Sequence, residues 1–201
     1  MNRTTNIALV WFLLVLGLVI TSVSWAQTLL FRPRVNMNTT RVTSLKARAA
    51  ANDPKWLLVK NAADGALAAP NMVDISNLSM AYLVTGDPKY STAATTAAMA
   101  QVTQPIGGPN VNSDGNYMEF RNTVRYVAQW YDWCYPQISA VNRATAAKWM
   151  MDTVDACLNR PNGWAINNWR NNYRIGFDIY LLAAIAVGTD DSRGLPYIAL
   201  W

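Results

Sequence analysis

Residues 167–188, NNWRNNYRIGFDIYLLAAIAVG, constrain the fold more than any other stretch of the chain. The first eight carry four Asn and two Arg around Trp169 and Tyr173, whereas the fourteen that follow are apolar apart from Asp178. A helix that is polar at one end and apolar nearly all round at the other belongs in a core, with its polar end opening onto a cleft. At helical spacing Asn167, Asn171, Arg174 and Asp178 form one stripe, and Tyr173, Phe177, Tyr180, Ala184 and Val187 form another. One face then meets a polar ligand and the other a core. In the plainer alternative, the Asn and Arg residues are a helix cap and first turn, and Arg174 and Asp178 are an ordinary (i, i+4) pair.

Such a buried rod needs other helices to cover it, and the rest of the chain supplies helical patterns. Asp53-Pro54 and Asp87-Pro88 each place an N-cap before a proline at the first helical position, the favoured way to begin a helix. The spacing predicts helices over residues 41–51, 54–63, 72–85, 89–101, 116–135 and 140–158, with Gly65 and Gly86 as stops. Phe120, Val124, Val127, Tyr131 and Cys134 mark the buried face of the fifth, and Ala144, Ala147, Met151, Val154 and Leu158 that of the sixth. About four residues join these two, so they return as an antiparallel hairpin. Strand patterns are missing throughout. The expected fold class is all-α: successive antiparallel helical hairpins.

At 201 residues the chain can bury one good core, and its length does not demand a second domain. Arg3, an apolar run over residues 7–20 and the small residues Ser24 and Ala26 form the pattern of a signal peptide over residues 1–26, cleaved after Ala26. An uncleaved anchor is the alternative, because residues 7–23 reach the lower limit for a spanning helix. Both readings put the remainder outside the cytoplasm, secreted or periplasmic, with an extended lead-in over residues 27–40 and a helical domain over 41–201.

Charged residues make up 14% of the chain, well below the usual quarter, and the formal charge is +5 with scattered basic residues. Nucleic-acid binders carry a clustered basic stripe, so no nucleic acid is expected. A mild positive balance suits an acidic polymer. The chain has no histidine, which removes imidazole bases, His-ligated metals and Ser-His-Asp triads. No cofactor or metal is expected. Cys134 and Cys157 close successive helices, and about 25 Å of helix separates Cys157 from the turn between them. Two buried thiols are therefore expected rather than a disulfide.

Asp53-Pro54-Lys55-Trp56 recurs as Asp87-Pro88-Lys89-Tyr90, 34 residues on (87 minus 53). That is the period of tetratricopeptide arrays, which makes a repeat-built protein-interaction scaffold one alternative. Beyond Gln101 the period fails, so the dipeptides read as repeated helix starts.

Three phrases in order carry a resemblance: SMAYLVTGDPKY over residues 79–90, YDWCYP over 131–136, and Asn167-Asn168-Trp169 leading into an alanine-rich helix. Together they resemble the toroid domains of heparinase-like and alginate-lyase-like polysaccharide lyases over residues 41–191. The resemblance implies an incomplete (α/α) toroid, a fragment or shortened member of a larger one, whose inner helices line a cleft for an acidic polysaccharide. It also implies β-elimination, in which a proton alpha to a uronate carboxylate is removed while an amide or guanidinium stabilises the developing charge. Asn168 matches the family's neutralising Asn, with Arg170 or Arg174 as helper and Tyr173 as proton carrier. Trp164, Asn167, Trp169, Arg170 and Asn171 would hold the glycan, the indoles by stacking on sugar rings. Trp169 stands where some members place His. Hence Tyr173 acts alone, or the base lies outside this chain, or the protein only binds. Trp130, Trp133 and Trp149 read as core. A glycoside hydrolase using paired carboxylates, with Glu119 and Asp178 as candidates, is the remaining alternative.

Overall fold

The structure is a computed structural model that describes residues 31–105, 117–158 and 180–199, with the backbone alone at 117–121 and 157–158. The chain divides into two units, Met1–Arg32 and Pro33–Trp201, and all the elements below belong to the second. Among the described residues every regular element is helical.

Local capping chemistry sets the helix starts. Helix α1 spans Thr39–Ala50, and the side chain of its N-cap Asn38 accepts from the amide of Arg41 at 2.9 Å. Helix α2, Pro54–Ala66, and helix α4, Pro88–Val102, begin alike: Asp53 accepts from the amide of Lys55 at 2.8 Å and Asp87 from that of Lys89 at 3.1 Å. In each, proline occupies a position whose missing N–H would have had no helical partner. Between them, a 3-10 turn at Met72–Asp74 runs into α3, Ile75–Thr85. A reciprocal box opens that turn: Asn71 Oδ1 accepts from the amide of Val73, and Asp74 Oδ2 from that of Asn71. Gly86 ends α3 at φ +74°, the left-handed stop expected of it.

Helix α5 covers Tyr117–Trp133 and α6 covers Ala140–Leu158, with a 3-10 turn at Tyr135–Gln137 between them. A π turn at Tyr180 and Leu181 leads into α7, Leu182–Val187, and α8 follows at Gly194–Ala199. The sequence pattern had Thr39 and Thr40 in the lead-in, but both are helical. The expected stripe on α6 also shifts, since Ala144 is exposed while Ala146, Ala147, Trp149, Met150, Met151 and Val154 are buried.

Consecutive helices pack against one another from α1 to α5, α5 also packs against α6, and α7 packs against α5, α6 and α8. Among the described residues two helices each touch four others: α3 packs against α1, α2, α4 and α5, and α5 against α3, α4, α6 and α7. In α5, Val124, Val127, Trp130 and Tyr131 are fully buried, as is Cys134 just past its end, and the tryptophans expected in the core, Trp130, Trp133 and Trp149, are all there. Small side chains on α4, among them Ala93, Ala94, Ala97 and Ala98, allow α3 and α5 to approach closely. Polar pins fix the register: Trp130 Nε1 donates to Thr95 Oγ1 at 3.0 Å, Ser76 Oγ to Gln129 Oε1 at 2.9 Å, and the Tyr90 hydroxyl to Asp64 at 2.6 Å. Each fully buried Ile, Leu or Met contributes about 1.5–3 kcal/mol; the pins choose which helix faces fit together.

Candidate functional site

All eight expected site residues, Trp164, Asn167, Asn168, Trp169, Arg170, Asn171, Tyr173 and Arg174, lie outside the described residues. So do Asp178, the side chain of Glu119 and residues 159–166. The described frame is the far end of the expected central helix and the helices beside it. There Tyr180, Leu182, Ala183, Ala184, Ala186 and Val187 are buried against α5 and α6, the apolar environment that the sequence predicts for this half of the rod.

Polar groups collect where that rod ends. Gly188 closes α7 at φ +58° and ψ −116°, and the loop after it brings Asp190 to the aromatic end of α5. The hydroxyls of Tyr131 and Tyr135 both donate to Asp190, at 2.7 and 3.1 Å. Their rings meet edge to face at 5.5 Å, and the Arg143 guanidinium stands 4.5 Å over the Tyr135 ring. These two tyrosines are one helical turn apart, so one carboxylate can satisfy both.

One residue along, Asp132 faces inward instead. Its side chain is fully buried, and Oδ2 accepts from the backbone amides of Arg34 and Val35 at 2.5 and 2.7 Å. Beside it Trp133 Nε1 donates to the Val35 carbonyl at 2.9 Å, while Arg34 Nε stands 3.9 Å from Asp132 Oδ1. The Arg34 guanidinium lies against Gly188, where any Cβ would stand 2.2 Å from Nη1.

A third group forms around Arg193. Its guanidinium donates to Asp191 twice, to Asp152 at 2.8 Å and to Asp155 at 2.6 Å. Lys148 also pairs with Asp152, and the Tyr197 hydroxyl with Asp155. Helix α8 is thereby fastened to α6 by charge-assisted bonds, the strong kind.

These surroundings decide what chemistry the described carboxylates can perform. Arg193 beside it holds Asp191 below the usual carboxylate range. At Asp152 burial works the other way, but Lys148 and Arg193 outweigh it and the pKa still falls. Asp64 is lowered by Lys60 and by the Tyr90 hydroxyl, and Tyr90 is raised by its burial and by Asp64. A general acid in glycoside hydrolysis needs a raised carboxyl pKa, opposite in direction to these three. Burial pushes the Cys134 thiol up to about 12, so at ordinary pH it is a neutral core group and no nucleophile. Among the described residues no group of His, Cys, Asp or Glu could hold a metal ion. None of their helices is long and apolar enough to cross a membrane.

The sequence reading missed Asp132, Asp190 and Arg193. Asp132 did carry a signal: it is the single charge in the aromatic run WYDWCY, where an acidic side chain must either leave the core or bring partners into it. Asp190 and Arg193 carried none, because their partners are distant in the chain. Comparison with protein-family models, with curated proteins and with solved structures finds no match.

Proposed function

We propose that this is an exported carbohydrate-active protein of the polysaccharide-lyase type, a partial (α/α) toroid that binds an acidic polysaccharide and cleaves it by β-elimination, or a glycan-binding remnant of such an enzyme. The observation that carries the proposal is the ordered set of three phrases, of which two lie on described helices. The first spans the end of α3, its glycine stop and the start of α4; the second closes α5. They are neighbours in space, since α3 and α4, which carry the first, both pack against α5, which the second closes. Helices that pack in chain order are also what a toroid of hairpins requires.

In this reading Asn168 neutralises the uronate carboxylate, Arg170 or Arg174 assists, Tyr173 carries the proton, and Trp164 and Trp169 stack on sugar rings beside Asn167 and Asn171. The partner is an acidic glycan; a membrane enters only if the N-terminal segment is retained. Elimination leaves an unsaturated uronate that absorbs in the near ultraviolet, which hydrolysis does not. Incubation with alginate and with glycosaminoglycans should raise that absorbance, and Asn168→Ala should lower the rate about 100-fold or more. Unchanged turnover in Asn168→Ala removes that residue from the mechanism. Binding without turnover, lost in Trp169→Ala, assigns the protein to the binding form. Reducing sugar released without the absorbance assigns it to the hydrolases.

A further inference from the structure

The dipeptide Arg34-Val35 is held by the helical body in the way that a bound peptide is held. Both of its amides donate to one carboxylate oxygen of Asp132, and its Val35 carbonyl accepts from the Trp133 indole. The Val35 side chain is fully buried, and the Arg34 guanidinium lies along Gly188. Main-chain groups thus provide the attachment and two side-chain niches the selectivity, the division of labour found in peptide recognition. These partners stand 97 or more positions further along the chain. Just past the dipeptide the backbone turns sharply at Asn36, φ +56°, whose carbonyl accepts from Arg41 Nη1 at 2.8 Å. Helix α1 follows, and none of its residues is fully buried. Segment and groove are therefore distant pieces of the chain, joined through the Asn36 turn and helix α1, which packs on α2 and α3 with Leu45 and Ala49 half-buried.

We propose that Asp132, Trp133 and Gly188 form a peptide-binding groove for an extended segment of Arg followed by a β-branched apolar residue. In this chain the groove is occupied reversibly by the chain's own Arg34-Val35 strap, which opens while the helices stay folded. The occupant is intramolecular because only Met37 separates the Asn36 turn from the α1 cap, so the strap stays at its groove at an effective concentration on the order of millimolar. A free peptide of the same sequence competes poorly until the strap is disabled.

Hydrogen exchange on the full chain tests the opening: the Arg34 and Val35 amides should exchange at least about tenfold faster than those of Val127 and Ala128 in α5, and with little response to low denaturant. Exchange in step with α5 across denaturant overturns the proposal. Fluorescence anisotropy with a labelled peptide of residues 33–38 tests the groove. The peptide should bind the full chain carrying Arg34→Gly and Val35→Gly at least about tenfold more tightly than the unaltered chain. Adding Asp132→Asn should abolish that binding. Equal binding to both chains, or to neither, overturns the proposal, and so does failure of the doubly substituted chain to fold, since losing a docked peptide leaves its receptor intact.

Discussion

Gly188 occupies a backbone region that side chains avoid, and Arg34 fills the space where a Cβ would stand. Gly188→Ala therefore meets both backbone strain and a guanidinium, and urea denaturation should show a loss of about 1–3 kcal/mol. Gly65 makes the opposite case: it lies in α2, and a Cβ there meets nothing within 4 Å. Gly65→Ala should stabilise by about 0.4–1 kcal/mol, because it restricts only the unfolded chain. Thr153 offers a different substitution. Its hydroxyl is fully buried on α6 with no hydrogen-bond partner among the described residues, so folding strips its water and returns nothing. Thr153→Val keeps the shape and should raise stability by about 1 kcal/mol in the same measurement. A glycine could be recognised in the sequence as a possible stop, yet its surroundings could not: Gly65 was expected to end α2 and instead lies within it.

At the scale of elements, the fastening of α8 to α6 is acid-sensitive in a stated direction. Asp152 and Asp191 titrate below the usual carboxylate range, so the folded chain binds fewer protons there than the unfolded chain as pH falls. Their contribution is fully present above about pH 4 and is lost as pH drops through the lowered folded values. Arg193→Ala should cost about 1–2 kcal/mol at neutral pH, a figure discounted for exposure. It should also flatten the loss of stability below about pH 4. Urea midpoints at neutral pH and on the acid side check both, and an unchanged acid slope would show that Arg193 is not what lowers the two aspartates. The local half of this network, the (i, i+4) pair Lys148 and Asp152, was open to reading from spacing. The other half was not, since Arg193 reaches Asp152 and Asp155 across 41 and 38 residues.

Taken whole, the molecule is mildly cationic at +5, which under the glycan reading makes association with alginate salt-dependent. Affinity should fall at least about tenfold between low salt and about 1 M, where the screening length shrinks to about 3 Å. Affinity indifferent to salt would leave the indoles as the only attachment. The sequence by itself determined the all-helical class and most helix boundaries, because caps, prolines and stops act within a few residues: Asn38, Asp53 and Asp87 each bond an amide two or three positions on. Only the tertiary structure decided that, among the described residues, α3 and α5 are the helices that each pack against four others. It alone showed Asp132 reaching back 98 residues to take the amide of Arg34. Such partners meet only after side chains have interlocked and set the helix register, and that outcome depends on the volumes of many residues at once, which no spacing rule carries.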